Sequence, residues 1–357
     1  MTGTGLEAPA ATPTVLRTRG SLPPWAPWGI LLAAVAVAAG ITALAGGFNV
    51  GLWVFLSVVI FAGATYTVSR VVEGARRAAD RLVTVVVTSA FLIAMLPLVS
   101  VLYTVVSQGW ARLDATFFTN SMRGIVGVGG GALHAIQGTL IITALAAAMS
   151  IPIGLLTAIY LVEYANNSRL ARAITFFVDV MTGIPSIVAG LFAYALFALV
   201  LGPGVRLGFV GAVALTVLMV PIVVRSTEEM LKIVPNELRE ASYALGVAKW
   251  RTIVKIVIPT TAGGIATGIT LAVARVIGET APLLITTGYA LGVNLNPFSG
   301  PMTTLPVFSY YSYAVPGIPR EAFLDRAWTA ALILMAIVMV LNIVARVISR
   351  LFAPKTR

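Results

Sequence analysis

Long runs of apolar residues alternate with short, polar, mostly basic connections along nearly the whole chain. A helix needs about 20 such residues to cross a hydrocarbon layer roughly 30 Å thick. Eight segments reach that length: about 28–45, 50–68, 82–106, 135–162, 173–202, 207–224, 263–289 and 327–345. The pattern predicts an all-α polytopic membrane protein. Composition agrees, since 59% of the residues are apolar and only 10% charged, more greasy surface than a soluble domain of this size needs.

The net charge of +11 does not point to nucleic acid, because the basic residues lie in patches between the apolar runs. Their distribution predicts topology instead. Arg17 and Arg19, the group Arg70, Arg76, Arg77 and Arg81, the pair Arg169 and Arg172, six residues from Arg225 to Lys255, and Arg346 to Arg357 fall on one side, eighteen in all. Five fall on the other: Arg112, Arg123, Arg206, Arg320 and Arg326. This asymmetry puts both termini and the connection 225–262 in the cytoplasm.

Residues 1–26, rich in Ala, Pro and Thr, read as a disordered cytoplasmic tail. They make a poor cleaved signal, because no short basic leader abuts the first span. The opposite-side segments 107–134 and 290–326 are long enough for short helices or gating loops. Phe308, Tyr310, Tyr311 and Tyr313 read as an interfacial aromatic belt. The stretch Gly127, Gly129, Gly130, Gly131 reads as a flexible lead into the fourth span rather than a phosphate cradle, since no G-x-x-x-x-G-K-[ST] occurs. Gly47 and Gly51 fit a helix-contact spacing but straddle a loop, and the acceptor pattern at Asn166-Asn167-Ser168 falls on the cytoplasmic side. With no cysteine and one loop histidine, His134, neither a thiolate or imidazole metal centre nor a Ser-His-Asp arrangement has material to draw on.

Three ionisable residues fall inside apolar spans: Asp179, Arg275 and Glu279. Each costs about 2.5–3.5 kcal/mol at mid-bilayer, so each must face protein, water or another of the three. Arg275 and Glu279 are four apart, the spacing of an intrahelical pair. Two readings follow: an ion pair that locks helices together, or a fixed cation on an anion path, with Glu279 holding Arg275 in place. A guanidinium suits tetrahedral oxyanions because its planar fork makes paired bonds and stays ionised. Helix interruptions favour a path. Pro185, within Thr182-Gly183-Ile184-Pro185-Ser186, removes a backbone bond in the fifth span, and Gly278 and Pro282 flank Glu279. Opened backbone at that depth is tolerated where it is buried or lines a wet cavity.

The most specific string lies in the connection 225–262: Glu240-Ala241-Ser242, then Gly246, then Ile256-Val257-Ile258-Pro259. Residues 237–245 fit a short surface helix, Gly246 a bend, and Pro259 the return to the bilayer. The string resembles the loop by which membrane subunits of ATP-binding-cassette importers grip their ATPases.

From about 82 to 350 the chain resembles the PstA-type permeases of bacterial phosphate importers, type I importers with a six-span, MetI-like core. The likeness rests on Gly138-Thr139-Leu140 through Ile151-Pro152-Ile153-Gly154 to Tyr160-Leu161-Val162-Glu163-Tyr164, on Gly183-Ile184-Pro185-Ser186-Ile187-Val188-Ala189-Gly190-Leu191, on the loop string, and on Ala274-Arg275-Val276-Ile277-Gly278-Glu279-Thr280-Ala281-Pro282-Leu283-Leu284. The last run separates PstA-like subunits from their PstC-like sisters. The resemblance implies a permease core over 82–357 behind an additional hairpin at 27–81, and a phosphate pathway that includes Arg275, Glu279, Asp179, Pro185 and Ser186. It also implies ATPase coupling through Glu240, Ala241, Gly246 and Pro259. Implied partners are a PstC-like permease, two PstB-like ATPase subunits that bind ATP and magnesium, a PstS-like external phosphate-binding protein and membrane lipid. No cofactor or metal is expected in this chain, which carries no nucleotide motif and is expected to be a non-catalytic subunit in the bacterial inner membrane.

The chain departs from the family in having two more spans than six, Ser242 where Ala is usual, and Ile258 where Leu is usual. A permease for sulfate or molybdate is the nearest rival reading. A stand-alone secondary transporter predicts inverted repeats, and a membrane enzyme a catalytic cluster.

Overall fold

The computed structural model describes residues 20–44, 49–165 and 168–352. The tail over 1–19, Gly47 and Asn166-Asn167 lie outside them. Every regular element among the described residues is a helix. The chain divides into two compact units between Leu102 and Tyr103, inside its third helix.

The first unit contains α1 (Ala26–Leu44), α2 (Val50–Val72) and most of α3 (Ala75–Gly109). Asn49 starts α2 by accepting the amide of Leu52 at 3.1 Å, satisfying a donor that the first turn leaves free. Between α2 and α3 the chain turns on Glu73 and Gly74, so Arg76, Arg77 and Arg81 sit on α3 itself and not in a loop. Glu73 is buried and clasps three segments. It accepts Nε and Nη2 of Arg81 at 2.6 and 2.8 Å, the amide of Leu22 at 2.8 Å and Oγ of Ser69 at 2.7 Å. The Arg81 guanidinium, ahead of the Leu22 amide, lowers its carboxyl to about 2.

In the second unit, α4 (Ala115–Thr119) precedes α5 (Leu133–Ile159), which continues into a wide turn at Tyr160–Tyr164. Then come α6 (Arg169–Gly183), α7 (Ser186–Leu201) and α8 (Gly208–Ile233). A polar elbow follows, formed by α9 (Asn236–Ala244) and α10 (Lys249–Thr252). A second wide turn at Ile253–Val257 leads into α11 (Ile258–Val276). The unit closes with α12 (Ala281–Thr286), α13 (Leu305–Ala314) and α14 (Arg320–Phe352).

Helices α5, α8 and α11 make the core. Ile142 and Ala146, Leu215, Met219 and Val223, and Ala272 and Val276 meet there, closed by Leu283, Met302 and Val307. In lipid, helices associate through close packing rather than through exclusion of water. Gly154 serves that end, since a Cβ there would lie 2.7 Å from the side chain of Val223. The central helix is α8, with 61% of its most apolar stretch buried against 11% in α14.

Among the described residues seven helices are long and apolar enough to span a membrane, and α6 and α7, bent by 111° to one another, make an eighth if the pair is counted as one span. The interruption expected at Thr182–Ser186 is present, as a sharp corner between two helices that together run from Arg169 to Leu201. The amide of Ile184 turns back to the carbonyl of Met181, Pro185 cannot continue the ladder, and the chain leaves in a new direction.

Four smaller expectations are corrected. α8 continues to Ile233, so Arg225 and Lys232 belong to a helix and not to the loop. His134 is in α5, buried edge-on against Phe308, and not in a loop. Phe308 is core and Tyr311 packs on Tyr289, which leaves Tyr310 and Tyr313 as the exposed members of the aromatic group. The glycine stretch is an ordered turn. The Gly129 carbonyl takes Nη1 of Arg112 at 3.2 Å and Nη1 of Arg326 at 3.1 Å, and the Gly130 carbonyl takes Nη2 of Arg112 at 2.9 Å.

Candidate functional site

The elbow between α8 and α11 brings the coupling residues together. Pro235 sets the turn out of α8, and α9 runs across it. Gly246, at φ 74°, reverses the chain in a conformation that a side chain would strain. Glu240, Ala241, Gly246 and Pro259 are all exposed. Pro259 lies within one continuous helix that runs from Lys249 to Val276. The wide turn at Ile253–Val257 lies directly before it, where the proline ring would otherwise press on the Lys255 carbonyl.

The inner face of the elbow is fixed by pairings that the sequence pattern did not reveal. Nη2 and Nε of Arg239 donate to Oε1 of Glu163 at 2.8 and 3.1 Å. The same guanidinium caps the end of α8, donating to the carbonyls of Val234 at 2.6 Å and Leu231 at 2.9 Å. The carboxylate is almost wholly enclosed, its side chain 4% exposed. Ser242 and Thr252 join α9 to α10 through buried hydroxyls 2.8 Å apart. Lys249 stands 5.0 Å over the Tyr164 ring. A peg results, pinned to the end of α5 on one side and bare on the other.

The three charges within spans separate. Asp179 of α6 pairs with Nη2 of Arg225, whose Nη1 holds Glu228 at 2.8 Å. Glu228 in turn accepts Lys232 at 2.6 Å, so a ladder of charges links α6 to α8. Arg275 and Glu279 do not pair. α11 ends at Val276, the Glu279 amide folds back on the Val276 carbonyl at 3.1 Å, and the four-residue alignment is lost. Arg275 is exposed, and among the described residues it has no ion pair or hydrogen bond within the chain. Glu279 is half-buried and likewise without an ion pair among them.

Pro185 and Ser186 begin α7, and Thr280 and Pro282 begin α12. These two short helices pack together, close enough that a Cβ on Gly190 would lie 2.6 Å from Cα of Pro282. Beside Thr280 a cavity of about 570 Å³ opens among α12, α13 and α14, lined by Ser309, Tyr310, Tyr313 and Trp328. None of the five pathway candidates lines it.

The family described as "Binding-protein-dependent transport system inner membrane component" matches residues 150–357. That match identifies this helical membrane core with its polar elbow as a membrane subunit of a transport system. The chain is 45% identical over 276 residues to "Phosphate transport system permease protein PstA 1" of Mycobacterium tuberculosis strain H37Rv, covering 76% of this chain and 88% of that protein. It is 44% identical over 281 residues to PstA of Mycobacterium leprae, covering 77% and 90%, and 38% identical over 273 residues to PstA of Yersinia pestis, covering 76% and 90%. This chain belongs to the PstA family of permease proteins. The fold is also that of a chain in the crystal structure of a bacterial alginate ABC transporter, with a TM-score of 0.55 and 13% identity over 79% of this chain and 97% of that one.

Proposed function

We propose that this chain is one of two membrane subunits that together form the phosphate pathway of an ATP-driven importer. The observation that carries this reading is the 45% identity to a protein named as a phosphate transport permease over 76% of the chain. The geometry is compatible with it in two places. The peg offers Glu240, Ala241 and Gly246 to a partner while Arg239 and Ser242 hold its back, so a push on it is not absorbed locally. From the peg, one helix runs 28 residues from Lys249 to Val276, about 42 Å at 1.5 Å per residue, and carries Arg275 at its far end. Movement of an ATPase against the elbow would tilt that rod and shift the cation.

In this reading the elbow and both termini face the cytoplasm, and ATP and magnesium are bound by two PstB-like subunits. A PstC-like permease completes the path, and a PstS-like binding protein delivers phosphate. Arg275 lends charge-assisted bonds to the passing anion, weak enough for release. Glu279, Pro185 and Ser186 border the same path. Asp179 acts at one remove, through Arg225.

The test is uptake. The chain and its four partners, reconstituted in vesicles, are expected to accumulate labelled phosphate when ATP is supplied on the elbow side, and to leave labelled sulfate outside. Equal uptake of sulfate would replace phosphate with a broader oxyanion specificity. Full-rate uptake by this chain alone would remove the importer reading.

A further inference from the structure

The first unit holds a groove that the transport reading leaves unused. A cavity of about 960 Å³ runs among α1, α2 and α3, walled by Trp28, Leu31, Trp53, Phe61, Leu92 and Leu96. Along α3 its lining extends from Thr84 to Val99, about 22 Å of helix, which exceeds the roughly 15 Å depth of one hydrocarbon leaflet. At one end it opens into a second cavity of about 590 Å³ that shares Pro27, Phe61, Thr84 and Val85 with it.

That second cavity carries charged side chains. Arg77, Asp80 and Arg81 line it together with Glu73. Arg81 gives Nε and Nη2 to Glu73, which leaves its Nη1 without a partner among the described residues. Arg77 makes no ion pair or hydrogen bond among them. Asp80 is the remaining carboxylate at the mouth. Around it the segment 70–81 carries four arginines, Arg70, Arg76, Arg77 and Arg81, against Glu73 and Asp80. The charges lining the mouth balance, but Glu73 is spent on Arg81, Leu22 and Ser69, and the segment 70–81 as a whole carries two more cations than anions. A deep apolar slot beside such a basic segment fits acyl chains below a phosphate.

We infer that α1, α2 and α3 form a binding site for an anionic phospholipid, with its acyl chains between the helices and its phosphate on Arg77 and the free edge of Arg81. Basic residues beside a membrane attract anionic headgroups, and the apolar walls hold the tails as they would a neighbouring helix. The site lies wholly within the first unit and does not depend on what the second transports.

Native mass spectrometry of the delipidated full chain, titrated with phosphatidylglycerol or with phosphatidylcholine of the same acyl length, tests it. A preference of about fivefold for phosphatidylglycerol is expected, the contribution of roughly one basic residue at an anionic surface. Arg77→Gln is expected to bring the two lipids to parity. Ser89→Trp, which fills the groove, should reduce retention of both while the helical content stays unchanged. In the assembled complex, a photoreactive residue in place of Leu92 should yield a lipid adduct. Equal retention of the two lipids by the unaltered chain, an unchanged preference in Arg77→Gln, or a polypeptide adduct at position 92 would each overturn the inference.

Discussion

Arg275 holds a guanidinium on an exposed side of a membrane-spanning helix, with no ion pair in its own chain among the described residues. Such a charge is expensive unless water, an anion or another subunit meets it. Replacing it with alanine should cut phosphate uptake by at least about tenfold, since a lost hydrogen bond to a charged group is worth about 1.5–3 kcal/mol. Lysine should restore part of that, as it keeps the charge but loses the fork. Uptake assays on vesicles in which the complex still co-purifies would check both, and unaltered uptake would refute the role. Glu163 predicts the opposite pattern. Its loss strands Arg239 in an enclosed site, so Glu163→Ala should destabilise the protein by about 3 kcal/mol, readable as a lowered unfolding temperature of the purified chain. Arg275 was legible in the sequence because one charge inside an apolar run is conspicuous. Its separation from Glu279 was not, because the spacing of four holds only while the helix continues. Glu163 with Arg239 and Asp179 with Arg225 escaped notice because they are 76 and 46 residues apart, and nothing local marks such partners.

Among the elements, the α9 peg was visible in advance, because a polar nine-residue helix with a glycine after it stands out between greasy spans. Its exposed carboxylate gives a direct test. Glu240→Lys should leave the fold intact and weaken recovery of the ATPase with the membrane subunits; undiminished recovery with normal coupling would clear that residue. The corner between α6 and α7 was not visible as a corner. Hydropathy records how apolar a stretch is and not which way it points, so two short helices at 111° read as one long span. The α2–α3 turn carries a pH dependence of known sign. Glu73 has a carboxyl held at about 2, below its ordinary 4.5, so the folded state favours the ionised form. The stabilisation is fully present above pH 4.5 and is lost as the pH falls toward 2. The protection of the Leu22 amide, its exchange rate relative to that of an unstructured amide at the same pH, should fall across that window, and Glu73→Gln should show reduced protection already at pH 7.

Across the whole molecule, segment length and composition were enough for the helical membrane architecture, and the distribution of basic residues proposes its orientation. The natural absence of cysteine makes that orientation simple to test, because single cysteines can be introduced without background. A cysteine at Leu238 should react with an impermeant thiol reagent from the cytoplasmic side only, and one at Val128 from the opposite side only. Reversed labelling would invert the topology and disconnect the elbow from any cytoplasmic ATPase.

At the end of the second unit away from the elbow, Arg326 carries a further consequence. Its guanidinium is 0% exposed, lies 4.3 Å over the Phe323 ring and donates to the Gly129 carbonyl. Thr329 fastens the same helix to the Gly109 carbonyl at 2.9 Å. A cation so enclosed cannot be stripped of its acceptor and re-seated on every turnover without a large penalty. The turn, the tail of α3 and the start of α14 therefore travel as one rigid block, and a rearrangement that admits solute there has to bend the protein outside that block.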